Sequence, residues 1–104
     1  MQIQAMPNER RPLEATLCQT LLECRLDFIE RGERTTDEIY NSVSNLYPHL
    51  CDNEFICPHY AEKPSYKPEW HHVVRDVLSR LKTETTVIQH IQHGKWYFGE
   101  IIDL

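Results

Sequence analysis

The stretch PEWHHVVRDVLSRLKTETTVIQHIQHGKWYFG, residues 68–99, carries two periodicities in succession. Apolar residues recur at Trp70, Val73, Val74, Val77, Leu78 and Leu81, the spacing of one helical face. Pro68 and Glu69 suit the start of that helix, because proline tolerates the first helical position. Beyond Lys82 the period shortens. Thr85–Ile91 is rich in β-branched residues, Gln92-His93-Gly94-Lys95 has turn chemistry, and Trp96–Ile102 is aromatic and branched again. This predicts a strand, a tight turn and a second strand over 85–102. Val87 and Ile91 on the first strand, and Trp96, Phe98 and Ile101 on the second, are the expected inward residues.

Upstream, Leu13, Leu17, Leu21, Cys24 and Phe28 form an apolar stripe, widened by Leu22 and Ile29, that predicts a helix over 13–31. Gly32 supplies its stop. The stripe is wide enough for part of this helix to serve as the surface of a homodimer. Residues 1–12 hold Pro7, Pro12 and the pair Arg10-Arg11, and read as a flexible arm, either an untethered terminus or a segment touching DNA backbone.

Glu33-Arg34-Thr35 suits a short strand pairing with the hairpin. Thr35-Thr36-Asp37-Glu38 has the form of a capping box. It opens a second helix over 36–47, with Ile39, Val43, Leu46 and Tyr47 inward and Pro48 as its stop. A long connection, 49–67, then leads to the third helix, 68–82. Long loops in small domains are usually functional or disordered. This one is too apolar for simple disorder, and Phe55 and Ile56 are expected to fold back into the protein.

At 104 residues and 40% hydrophobic, the chain supports one modest core and not two. Residues 13–104 are therefore one domain. No apolar run is long enough to cross a membrane, and the N-terminus lacks the apolar centre of a signal peptide. The expected location is the cytoplasm, without membrane partners. Cys18, Cys24, Cys51 and Cys57 then read as reduced thiols.

The net charge of −5 argues against nucleic-acid binding until its distribution is considered. Residues 63–98 carry six basic residues against three acidic ones, whereas the acidic excess lies mainly in 14–38. His71, His72, Arg75, Ser79 and Lys82 share a polar stripe on the third helix. Lys95 follows at the hairpin turn.

Metal binding and catalysis each have candidate residues to consider. Cys51, Cys57 and His59, with His71 or His72 as a fourth ligand, have the donor types of a zinc site, but Cys-x5-Cys is wider than the usual spacing. The alternative is a pair of cysteines in a partly buried loop, and no cofactor is expected. For catalysis the one candidate is a Cys-His pair, Cys57 with His59 or His71, with nothing to supply an oxyanion hole or an orienting group. The three glycines are isolated, no nucleophile elbow occurs, and the nuclease signatures Pro-Asp…Asp/Glu-x-Lys and His-Asn-His are missing. The expectation is a protein that is not an enzyme.

Together these elements predict an α+β winged helix-turn-helix, with three helices followed by a C-terminal β-hairpin wing. The order Cys51-Asp52, Cys57, Pro68-Glu69-Trp70-His71-His72-Val73-Val74-Arg75, Leu78, Leu81-Lys82 and Gly94-Lys95-Trp96 resembles winged-helix domains attached to prokaryotic restriction endonucleases of the Mrr-like, HNH-type and methyl-directed (DpnI-like) kinds. The resemblance is closest over 50–98 and looser over 13–47. It implies that the helix beginning at Pro68-Glu69-Trp70 is a recognition helix and that the domain binds double-stranded DNA, in some members as a sensor of a modified base. Carried onto this chain, the contacting residues are His71, His72, Arg75, Ser79 and Lys82 on the helix and Lys95 on the wing. The expected function is a stand-alone DNA-binding regulator or accessory specificity factor related to restriction-modification. The alternative is a protein-interaction or dimerisation module on the same fold.

Overall fold

Among the described residues, three α-helices and three strands follow in the order α1 (Ala5–Cys24), β1 (Gly32–Thr35), α2 (Thr36–Leu46), α3 (Glu69–Glu84), β2 (Ile88–Gln92) and β3 (Lys95–Phe98), with a 3-10 turn at Pro48–Leu50. The structure, a computed structural model, describes residues 5–56, 67–85 and 87–99, and side chains from residue 13 onward.

The first helix departs most from expectation. It begins at Ala5, so residues 5–12 are helical rather than an arm. Pro7 falls in the first turn, where backbone N–H groups have no intrahelical acceptor in any case. The helix also stops at Cys24, not at Arg31. Arg25 and Leu26 both take left-handed backbone angles, φ 53 and 59, at about 1–2 kcal/mol each for residues with a Cβ. The turn drops Leu26 and Ile29 into the core, where they are 1% and 8% exposed. Burying one such side chain returns about 1.5–3 kcal/mol, enough to offset the strain.

The second helix follows its sequence signature. Glu38 N–H donates to Thr35 Oγ1 at 3.1 Å, and Thr35 N–H donates to Glu38 Oε1 at 2.7 Å, completing the capping box. Ile39 and Val43 are fully buried, but Leu46 is half-exposed rather than inward. Tyr47 packs edge-on against Phe28. The third helix starts one residue later than expected, with Pro68 as its cap.

All three strands form one antiparallel sheet in the order β1-β3-β2. The short strand before α2 does pair with the hairpin, Gly32 opposite Phe98 and Thr35 opposite Lys95. One strand thus lies between the first two helices. Trp96 and Phe98 are buried, as their alternation predicts, but the partner strand shows the opposite face from the one expected. Ile88 is 1% exposed, while Val87 and Ile91 are 39% and 46% exposed. Val87 and Gln89 share the outer face, opposite Ile88. Ile91 is the extra residue of an irregularity, since His90 pairs with Trp96 and Gln92 with Lys95. Ile101 lies outside the described residues.

The core joins Leu17 and Leu21 of α1 to Val74, Val77, Leu78 and Leu81 of α3, closed by Ile39, Val43, Ile88 and Phe98. The middle of the α1 stripe is therefore used within the chain. Leu13 remains 41% exposed, and Cys18 and Leu22 are partly buried. Among the described residues no polar or charged residue is buried, and no helix is long and apolar enough to cross a membrane.

Candidate nucleic-acid interface

Hairpin, α2 and α3 meet on one side of the molecule. The link is a backbone bond, Thr36 N–H to the Gly94 carbonyl at 3.0 Å, which ties the hairpin turn to the first residue of α2. Gly94 adopts φ +78, the left-handed angle this tight turn needs. The clip leaves an open groove of about 450 Å³ between α3 and the hairpin. Lys67, Arg75 and Ser79 line it from the α3 side, and His90, His93 and Trp96 from the hairpin. Asp37 and Tyr40 of α2 close its end. The His90 ring lies against Trp96 at 4.6 Å between centroids. Two cations, three hydroxyls (Thr36, Tyr40 and Ser79) and two imidazoles thus converge with one carboxylate.

A second groove, also about 450 Å³, continues over α2 toward the loop before α3. Asp37, Tyr40, Asn41 and Ser44 face it from α2, a set spaced i, i+3, i+4 and i+7 along one helical face. Asn53, Trp70 and His71 form the other wall. Trp70 donates its indole N–H to Asn53 Oδ1 at 2.8 Å.

His71 belongs to this wall rather than to an open stripe. Its ring stacks on Tyr40, with centroids 3.8 Å apart and planes 9° apart, and meets Trp70 edge-on at 4.3 Å. Burial, then the cations Lys67 and Arg75, push its pKa down to about 4, with Asp37 opposing. At neutral pH His71 is an uncharged ring stacked between two helices.

The remaining expected residues divide. Arg75 and Ser79 line the first groove. His72 is partly exposed, with Nδ1 3.9 Å from Glu69 Oε1. Lys82 and Lys95 are exposed but line neither groove. Arg80 turns to another face, 3.4 Å from Asp76 and 3.9 Å from Cys18 Sγ.

No family model, curated protein or solved structure matches this chain. Its function is therefore to be sought in the geometry and electrostatics of the two grooves.

The zinc candidates do not converge among the described residues. Cys57 and His59 lie outside them, Cys51 is buried, and His71 is held against Tyr40. Desolvation pushes the Cys51 thiol up to about 11, as for a buried, protonated core group. Among the described residues no cluster of three His, Cys, Asp or Glu is placed to hold a metal.

Sequence reasoning missed Lys67 and the whole α2 face. A signal for the latter existed, since Asp37, Asn41 and Ser44 are polar at helical spacing opposite Ile39 and Val43. A polar helical face is the common state of any surface helix, however, and only the neighbouring groove distinguishes this one.

Proposed function

We propose that this chain is a winged-helix protein that binds double-stranded DNA through α3, the hairpin and the outer face of α2. The observation that carries the reading is the groove in which Lys67, Arg75 and Ser79 meet His90 and His93. Its charged lining, Lys67 and Arg75 against Asp37, is net positive on a chain whose net charge is −5. The element order, with β1 inserted between the first two helices and joining the hairpin sheet, supports a winged-helix layout. In that layout a phosphate backbone runs between the third helix and the wing, with Lys67 and Arg75 neutralising it and Ser79 donating a hydroxyl bond. Lys82 and Lys95 extend the positive charge beyond the groove, and His72 flanks it. His71 acts as a brace. The likeness to the winged-helix domains of restriction endonucleases rests on the Pro68-Glu69-Trp70 and Gly94-Lys95-Trp96 landmarks. It makes a regulator or accessory specificity factor the fitting role, with no catalysis assigned.

Fluorescence anisotropy with a mixed-sequence duplex at low and moderate salt tests this directly. Binding that weakens steeply with salt is expected, because phosphate contacts release counterions. Undetectable binding at both salt concentrations removes the proposal.

A second reading, a homodimer across α1, is favoured by the 41% exposure of Leu13 beside the partly buried Cys18 and Leu22. Sedimentation equilibrium at micromolar concentration decides it, and a monomer at all concentrations excludes it.

A further inference from the structure

Resting on the DNA-binding reading, we infer that the groove over α2 reads the edge of the bases, with Asn53 as hydrogen-bond donor and Asp37 as acceptor. The indole N–H of tryptophan can only donate. The Asn53 atom 2.8 Å from Trp70 Nε1 is therefore its oxygen, and the open end of the amide is the NH2 group. Trp70 is itself 5% exposed and held edge-on by Tyr40 and His71, so the amide is anchored to a fixed support. Asn53 thus offers two donors to the groove. On its α2 wall stands Asp37, whose carboxylate accepts and does not donate.

The Asn53 amide distinguishes this groove from its neighbour, since Asp37 borders both. Lys67 and Arg75 suit the first groove to phosphate. Neither cation lines the second, so there Asp37, which borders both grooves, matches an amino group. Base edges in the major groove carry both features: amino donors on cytosine and adenine, and acceptors on guanine and thymine. The two grooves share Asp37 and Tyr40, so a strand whose phosphates lie in the first presents its base edges to the second. The ligand is a duplex step with an amino group toward Asp37 and an acceptor, guanine O6/N7 or thymine O4, toward Asn53.

The test selects preferred duplexes from a random library with the full chain, then repeats the selection with Asn53→Asp and with Asp37→Asn. Asn53→Asp keeps the oxygen that Trp70 needs but removes both donors, and near-UV circular dichroism checks that the Trp70 environment is retained. The expected result is a preference at one base position that moves from an acceptor base to an amino base in Asn53→Asp. The converse change is expected at a neighbouring position in Asp37→Asn. Each position should lose about 10-fold or more in discrimination, with the salt slope of binding to a fixed duplex less affected than by loss of Lys67. Variants that select the same sequences as the parent, or weaken all duplexes by one common factor, overturn the inference while leaving DNA binding intact. A parent chain that binds no duplex removes the DNA-binding reading and this inference with it.

Discussion

Tyr40 and His71 stack face to face, 3.8 Å between ring centroids, and so join the middle of α2 to the first turn of α3. Both rings border the groove over α2. A protonated imidazole there would sit desolvated near Lys67 and Arg75.

That arrangement has a definite pH signature. His71 has a folded pKa of about 4 against 6.5 for the ordinary group. Below pH 6.5 the unfolded chain takes up a proton that the folded chain refuses, so stability falls as pH drops from 6.5 toward 4. Glu38, whose pKa is lowered chiefly by the Thr35 backbone bond, adds its loss only below 4.5. Thermal melts between pH 7 and 5 span the His71 window and stay above that of Glu38. His71→Phe keeps the stack without the titration, and its melting temperature should vary less over that range than the parent's. An equal slope in both proteins would contradict the assignment.

The parity of β2 is tested by a pair of truncations. Ile88→Ala empties a fully buried site and should cost about 2–5 kcal/mol. Ile91→Ala removes an exposed side chain and should stay within about 0.5 kcal/mol of the parent. Urea denaturation of the two variants measures both, and the reverse order would place the wrong face inward.

The electropositive groove predicts a contrast among cations of similar sequence location. Lys67→Ala should weaken duplex binding evenly across sequences and lower the salt slope by about 1. Arg80→Ala, on the face shared with Asp76 and Cys18, should leave both unchanged. Titrations at several salt concentrations provide the comparison, and equal losses from the two substitutions would speak against a localised interface.

The thiols should separate by reactivity. Cys51 is 8% exposed with its pKa pushed up to about 11, whereas Cys18 and Cys24 are partly exposed. Iodoacetamide at pH 8 should modify Cys51 more slowly than either of the others, since the thiolate is the nucleophile. Peptide mapping by mass spectrometry reads the order, and unfolding in urea should abolish it.

Much of the architecture is legible in the sequence because local chemistry and long-range packing agree. Thr35 and Glu38 announce the start of α2 from four consecutive residues, and Gly94 marks the hairpin turn. The α3 stripe of Trp70, Val74, Val77, Leu78 and Leu81 is buried as its spacing requires. Expectation fails where tertiary packing overrides a local rule. The end of α1 is set by burial of Leu26 and not by the nearest glycine, and nothing in residues 20–32 signals two successive left-handed angles. His71 illustrates the limit for the site. Its spacing places it beside Arg75 on the helix, but whether it faces solvent depends on Tyr40, a residue 31 positions earlier. Lys67 and Asn53 likewise gain their roles only through neighbours distant in sequence.

The irregularity at Ile91 bears on how the protein behaves in a crowded solution. β2 is an outer strand whose sequence, Ile-Gln-His-Ile-Gln, has neither lysine nor proline to discourage a second chain from adding on. Exposed edges of this kind template intermolecular pairing, and a bulge is one of the devices that blunts them. The extra residue breaks the even spacing of outward N–H and C=O groups and increases the local twist. A substitution or deletion that regularised the strand would straighten the hairpin and, by the same change, open a route to sheet-by-sheet aggregation.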